Sequence, residues 1–372
     1  MEPIRILNLF TILNRGGAET MVMNYYRHID RTKVQFDFMV HRQERGAYDD
    51  EIEAMGGKIY RMIPIYPQNF YKYKEMLREF FSKYKDYKII HSHMSELGYY
   101  AFVEAKKQGV PIRICHAHSA PNNVDMKTMV REYFKYRMRP YMTQMFMCGL
   151  KSAIWLFGED KRDRFIMQNN AIDANKFSYN INQLQQIRKE LNVENKFIIG
   201  HVGRFEKAKN HTFLIDIFYE VYRKNPNSVL VLIGGGTLEN KIKAKVSKLG
   251  LDEAVQFLGV RDDIHRITQA FDVFIFPSLY EGLGIVLIEA QAAGIHCITS
   301  DKVVPIEAKV TDLLEYVSLR KDANVWADKA LQYKDGYQRK NTYDEIVQAK
   351  YDIIDNAKWL EKFYLNVYRE NI

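Results

Sequence analysis

The chain has 372 residues, with 54 Lys and Arg against 46 Asp and Glu, 47% hydrophobic and 27% charged residues, and 3 cysteines. At roughly 100–200 residues per domain this is a two-domain length with the composition of a folded soluble protein; it excludes a disordered chain, a collagen and a small disulfide-stapled domain. The net charge of +8 lies in the first half, because residues 1–170 hold 27 basic and 19 acidic groups whereas 171–372 hold 27 of each. The basic half is therefore expected to face nucleic acid, an anionic membrane or a phosphorylated substrate.

Glu2, Pro3, Arg5 and Asn8 make the N-terminus a poor signal peptide and a good first strand, at 4–10. Further strands are expected at 35–40, 58–62, 88–93 and 113–118, alternating with helices at 18–28, 51–55, 70–84 and 97–108. The second half repeats the theme. Strands at 197–202, 229–233, 255–257, 273–277 and 297–299 alternate with helices at 210–224, 238–248, 264–270 and 285–293. Such alternation argues for right-handed βαβ units and a parallel sheet in each half. The polar segment 173–192 reads as the boundary, and 351–368 as a final amphipathic helix. No uncharged apolar run reaches the length of a membrane span, since Lys151 interrupts the nearest candidate, 145–158. Cys115, Cys148 and Cys297 are far apart with no C-x-x-C, which fits a reducing cytoplasm and speaks against zinc or redox motifs.

Ligands of open parallel sheets bind at the carboxyl ends of the strands. The motifs stand there. After the strand at 273–277 come Glu281, Gly282, Leu283, Gly284 and Ile285, and then Glu289 on the helix. The loop N–H groups suit an anion, and a carboxylate on the helix suits two adjacent hydroxyls. After the strand at 197–202 come Gly203, Arg204 and Lys209. An arginine fork and a lysine point charge can together neutralise a diphosphate. Gly16 and Gly17 follow the first strand, and Asn170 to Asp173 close the first half. Gly234, Gly235 and Gly236 read as an ordinary tight turn. His91 and His93 share one strand end, and His116 and His118 another. Hydrogen-bonding roles are expected of these four in preference to a metal site.

Taken in order, Gly16 to Glu19, Asn170 to Asp173, Gly203-Arg204 with Lys209, and Glu281 to Glu289 make the chain resemble the retaining glycosyltransferases of family 4 over nearly its whole length. The resemblance implies the α/β GT-B fold, two Rossmann-like domains facing across a cleft. Residues 1–172 would bind the acceptor and 173–351 the nucleotide-sugar donor, with 352–372 returning to the first domain. It implies that Arg204 and Lys209 hold the diphosphate and Glu289 the ribose hydroxyls. Glu281 and the backbone of Gly282, Leu283, Gly284 and Ile285 would hold the sugar and distal phosphate. Gly17 would approach the phosphates, and the backbone at Val260 and Arg261 would meet the base. His118 is expected to line the sugar site, with His116 an equally spaced rival and His93 facing the acceptor. His118, Glu281, Arg204 and Lys209 are thus the catalytic candidates. No cofactor and no metal are expected: the nucleotide sugar is a substrate, UDP by family habit, and the chain has no Asp-x-Asp.

The linker departs from the family pattern, which has Pro before the Asn and Gly after it; here Asn169 and Ala171 stand there. An alanine held at positive φ would be strained. The Asn169-Asn170 form together with His116 and His118 is similar to the subset that builds bacterial capsular or exopolysaccharide units. Arg131, Lys135, Arg137 and Arg139 interleave with Tyr133, Phe134, Tyr136 and Tyr141. That mixture suits an anionic bilayer carrying a polyprenyl-diphosphate-linked acceptor, so a cytoplasmic protein able to lie on the membrane is expected. It could also serve RNA, but no RNA-binding module is visible and nucleic acid drops out as a partner. Three rivals remain. A GT-B nucleotide-sugar epimerase is disfavoured by the paired glutamates. A non-catalytic transferase-like partner subunit is disfavoured by intact Arg204, Lys209, Glu281 and Glu289. A dehydrogenase lacks G-x-G-x-x-G after the first strand.

Overall fold

The computed structural model describes residues 2–118 and 126–372. The chain divides into two compact units, Met1–Ala171 with Ile353–Ile372, and Ile172–Asp352.

The first unit is built on a parallel sheet of β1 (Ile4–Phe10), β2 (Val34–Val40), β3 (Ile59–Arg61), β4 (Ile89–Ser92), β5 (Ile112–Ala117), β6 (Gln144–Met147) and β7 (Phe165–Met167). Their order is β3-β2-β1-β4-β5-β6-β7. β2, β4 and β5 are buried along their whole length. Helices cover both faces of a parallel sheet, so even polar members of these strands such as Gln35, Asp37, His91 and Arg113 are buried. Alternate residues separate into two cores. Ile6, Phe10, Phe36 and Phe38 pack with Tyr25, Leu360 and Tyr364. Leu7, Leu9, Met39 and Ile90 pack with Tyr73, Leu77 and Phe102.

The last helix, Ile353–Asn371, belongs to this unit. Its buried residues Ile353, Ala357, Leu360, Tyr364 and Val367 follow the 4-3-4-3 spacing of a single apolar stripe. The Tyr364 hydroxyl reaches His91 Nδ1 at 2.7 Å.

The second unit has β8 (Phe197–Val202), β9 (Ser228–Ile233), β10 (Val255–Phe257), β11 (Val273–Phe276), β12 (His296–Ser300) and β13 (Leu314–Val317). They form a parallel sheet in the order β10-β9-β8-β11-β12-β13. The reversal of strand order between β8 and β11 is the switch point where such sheets bind ligands.

The polar segment 173–192, read as the boundary, is itself helical. It forms the helices Ala174–Phe177 and Ile181–Glu190, capped by Asp173 and Asn180. Arg188 then pairs with Asp272 at 2.5 Å, which makes the segment part of the second unit. The turn at Ala171 avoids that strain: Ala171 is not at positive φ, is 1% exposed, and its carbonyl accepts from Asn24 Nδ2 at 3.3 Å. The short strands β6, β7 and β13 were not anticipated, because three or four residues carry too little alternation to stand out. Among the described residues no helix is long and apolar enough to cross a membrane.

Candidate functional site

In the second unit the loops after β8, β9 and β11 are tied into one surface. Phe205 N–H donates to the Gly235 carbonyl at 3.0 Å, and Leu279 N–H to the Ala208 carbonyl at 2.7 Å. Asn210 Nδ2 donates to the Pro277 carbonyl at 3.1 Å. Gly234 and Gly236 are not an ordinary turn. Their φ angles of +139° and +156° belong to glycine, and a Cβ on either would overlap the main chain of Gly203 or Phe205. They let the β9 loop press directly on the Gly203–Arg204 backbone.

On this surface Lys209 Nζ forms an ion pair with the Glu281 carboxylate. It also lies 4.7 Å from the centre of the Phe276 ring. Ser278 Oγ donates to the same carboxylate at 3.0 Å. The Glu281 side chain is only 8% exposed, so this pair is largely removed from water. Arg204 is exposed, and no ion pair holds it among the described residues. Gly284, at φ +79°, is the N-cap of helix Ile285–Ala292. Glu281 therefore does not cap that helix; it faces Lys209. Arg261 is held by Asp263 through two 2.8 Å bonds, which leaves the base-side role expected there to the main chain. Beneath the loops sit two histidines that the sequence reading did not single out. His201 and His211 lie edge to face at 4.7 Å, and burial keeps both neutral.

Glu289 sits in the middle of helix Ile285–Ala292, and burial pushes its carboxyl up to about 7. The sign follows. A raised carboxyl favours the proton in the fold, so this group costs stability increasingly as pH rises from its ordinary value through 7. Accepting from two ribose hydroxyls needs the ionised form. The donor KM is therefore expected to fall between pH 6 and pH 8, and Glu289→Gln to raise it about tenfold or more and flatten that dependence. A KM independent of pH in the wild-type enzyme would contradict the ribose role.

In the first unit β1, β4, β5 and β6 bring together residues that are far apart in sequence. His91 and His93 stack at 4.3 Å, and His116 and His118 at 4.2 Å. Burial holds His91 down at about 3 and His118 at about 4, with His93 and His116 also well below the ordinary value. All four are neutral near pH 7 and act through hydrogen bonds rather than charge. His118 Nε2 meets His93 Nδ1 at 2.9 Å, and His93 Nε2 meets Asn8 Oδ1 at 3.3 Å. Gly17 opens helix Gly17–His28, and the space where its Cβ would stand is clear to 4 Å. Ser119, Ala120 and Pro121, which follow His118 in the sequence, lie outside the described residues.

Residues 182–348 match the family model of glycosyl transferases group 1, and residues 15–149 that of glycosyltransferase family 4. The chain is 33% identical to the putative glycosyltransferase EpsF of Bacillus subtilis (strain 168), over 98% of this chain and 96% of that one. It is 28% identical to the UDP-Gal:alpha-D-GlcNAc-diphosphoundecaprenol alpha-1,3-galactosyltransferase of Escherichia coli, over 72% of each. The crystal structure of Anabaena Alr3699/HepE in complex with UDP and glucose aligns with a TM-score of 0.72 at 18% identity, over 96% of this chain and 94% of that one. Two parallel-sheet Rossmann-like units, the paired glutamates and these likenesses converge: the chain belongs to the group 1, family 4 glycosyltransferases and has the GT-B fold.

Proposed function

We propose that the enzyme moves a sugar from a UDP-sugar to a hydroxyl of a polyprenyl-diphosphate-linked glycan in cell-surface polysaccharide synthesis, with retention of configuration and without a catalytic metal. The observation that carries this reading is the Lys209–Glu281 pair beside the free cation Arg204 on the loops after β8 and β11. A departing nucleoside diphosphate needs its charge stabilised, and fixed cations and N–H groups can supply that. Arg204 and Lys209 are assigned to the diphosphate. Glu281 with the Gly282–Ile285 backbone is assigned to the sugar, and Glu289 to the ribose. In front-face attack the anomeric C–O bond to phosphate breaks as the new C–O bond forms on the same face. The acceptor proton passes to the leaving phosphate. The first unit is assigned the acceptor, with His93, His116 and His118 as its polar groups.

The Escherichia coli relative's name, with its UDP-Gal donor and diphosphoundecaprenol acceptor, supports both substrate classes. A membrane surface suits the helix Met126–Met138. Met129, Val130, Tyr133 and Tyr136 are exposed at spacings that share one helical face, and Arg137 lies beside them. The test is transfer in excess EDTA, read by mass, from UDP-, GDP- and ADP-sugars. The acceptor is offered free in detergent or in phosphatidylglycerol vesicles. Product from a UDP-sugar despite EDTA, and faster on vesicles, is expected. Abolition by EDTA would overturn the metal-free mechanism, and product only from another nucleotide would overturn the donor.

A further inference from the structure

We propose that the first unit carries a binding site for a soft d10 cation, Cu(I) in preference to Zn(II), formed by Met21 Sδ, His116 Nε2, His118 Nδ1 and Cys148 Sγ. The four residues come from three elements and meet only in the fold: Met21 on helix Gly17–His28, His116 and His118 at the end of β5, and Cys148 just after β6. Cys148 Sγ lies 3.1 Å from His116 Nε2, 3.4 Å from His118 Nδ1 and 3.7 Å from Met21 Sδ. With sulfur at about 2.3 Å and nitrogen at about 2.0–2.1 Å from a metal, the edges of a tetrahedron are about 3.5 Å for S···N and about 3.8 Å for S···S. The three separations around the sulfur are close to those edges.

The protons sharpen the case. Asn8 Nδ2 faces the carbonyls of Ile6 and Asp37, so its Oδ1 is the atom that accepts from His93 Nε2. His93 Nδ1 must then accept from His118 Nε2–H, which leaves a lone pair on His118 Nδ1 aimed at Cys148. Hydrogen bonding of the second ring nitrogen is what orients a metal-binding histidine. The thiol has one proton to offer three neighbours. His116 Nδ1 and His91 Nε2 are both buried with no hydrogen-bond partner, and such atoms in a native core call for an explanation. On coordination the Cys148 S–H bond breaks, the proton leaves to solvent and the sulfur–metal bond forms. Thiolate, thioether and imidazole donors together favour Cu(I).

The experiment titrates the full-length protein with Co(II), Zn(II) and Cu(I), each alone. Co(II) is followed by its thiolate charge-transfer and tetrahedral visible bands, and Zn(II) and Cu(I) by competition with a chromophoric chelator. One ion per chain and a Co(II)–thiolate band are expected. Cys148→Ser should abolish the band and weaken Cu(I) binding at least tenfold. Met21→Leu, a nearly volume-conserving change, should weaken Cu(I) binding more than Zn(II) binding. Circular dichroism checks each variant. Wild-type protein without the band, or a band that survives in Cys148→Ser but is lost in Cys115→Ser or Cys297→Ser, overturns the proposal whatever the variants do to folding. The readout is spectroscopic, so it stands apart from the transfer reaction.

Discussion

Lys209→Ala is expected to lower kcat for sugar transfer about 10²–10³-fold, the usual cost of removing one preorganised charge-stabilising donor. The loss has two sources. The ammonium that would face the diphosphate disappears, and Glu281, 8% exposed, is left without its cation. A carboxylate so far removed from water is costly to leave without its partner, so the second member of the pair is disturbed with the first. Lys209→Arg is not a rescue, because a planar fork cannot occupy the place of a point charge packed against Phe276. Arg204→Ala is expected to reduce kcat comparably but for a simpler reason, since Arg204 is exposed and no ion pair of the described residues depends on it. Steady-state kinetics with mass detection, alongside circular dichroism, reads both variants. Undiminished turnover in a folded Lys209→Ala protein would remove Lys209 from the mechanism.

Asp37→Ala should destabilise the first unit by about 3–5 kcal/mol, the cost of breaking a buried pair by removing one partner. Asp37 is fully buried in the middle of β2. It accepts twice from Arg5 at 2.5 Å, from the Tyr87 hydroxyl at 2.6 Å and from the Lys58 N–H at 2.7 Å. Those bonds link β1, β2 and the entries to β3 and β4, so their loss is felt across the centre of the sheet. Arg5, whose guanidinium is held even more firmly charged by Asp37, would be left without its anion. Urea denaturation followed by tyrosine and tryptophan fluorescence measures the effect. A midpoint equal to the wild-type value would mean that the carboxylate is dispensable.

Much of the architecture was legible because parallel strands covered on both faces are short, predominantly apolar runs. β1, β2, β4 and β5 in the first unit and β8, β9 and β11 in the second each end at a polar or glycine-bearing turn, which makes them visible. The helices of the polar stretch 173–192 were not legible for the opposite reason. Helix Ile181–Glu190 buries only Ile187, so it carries almost no apolar stripe in sequence. The candidate donor residues were legible as well, since Arg204, Lys209, Glu281 and Glu289 each follow a strand within a short motif. Their pairing was not. Lys209 and Glu281 are 72 residues apart, and nothing local to either names the other.

The amino-acid sequence by itself determined two α/β halves, the basic character of the first and the position of Arg204 and Lys209 just after a strand of the second. These follow from period, composition and short-range spacing, which the chain carries along its length. The tertiary structure decided everything that depends on strand order. It set Lys209 against Glu281 and turned Gly234 and Gly236 from a plain turn into close contacts with the backbone of Gly203 and Phe205. It also gathered His116 and His118 with Cys148 and with Met21, which is 127 residues away from that cysteine. The physical reason is common to all of them. A parallel sheet places the ends of non-consecutive strands side by side, so the groups that meet there are neighbours through hydrogen-bonded register and not through the chain.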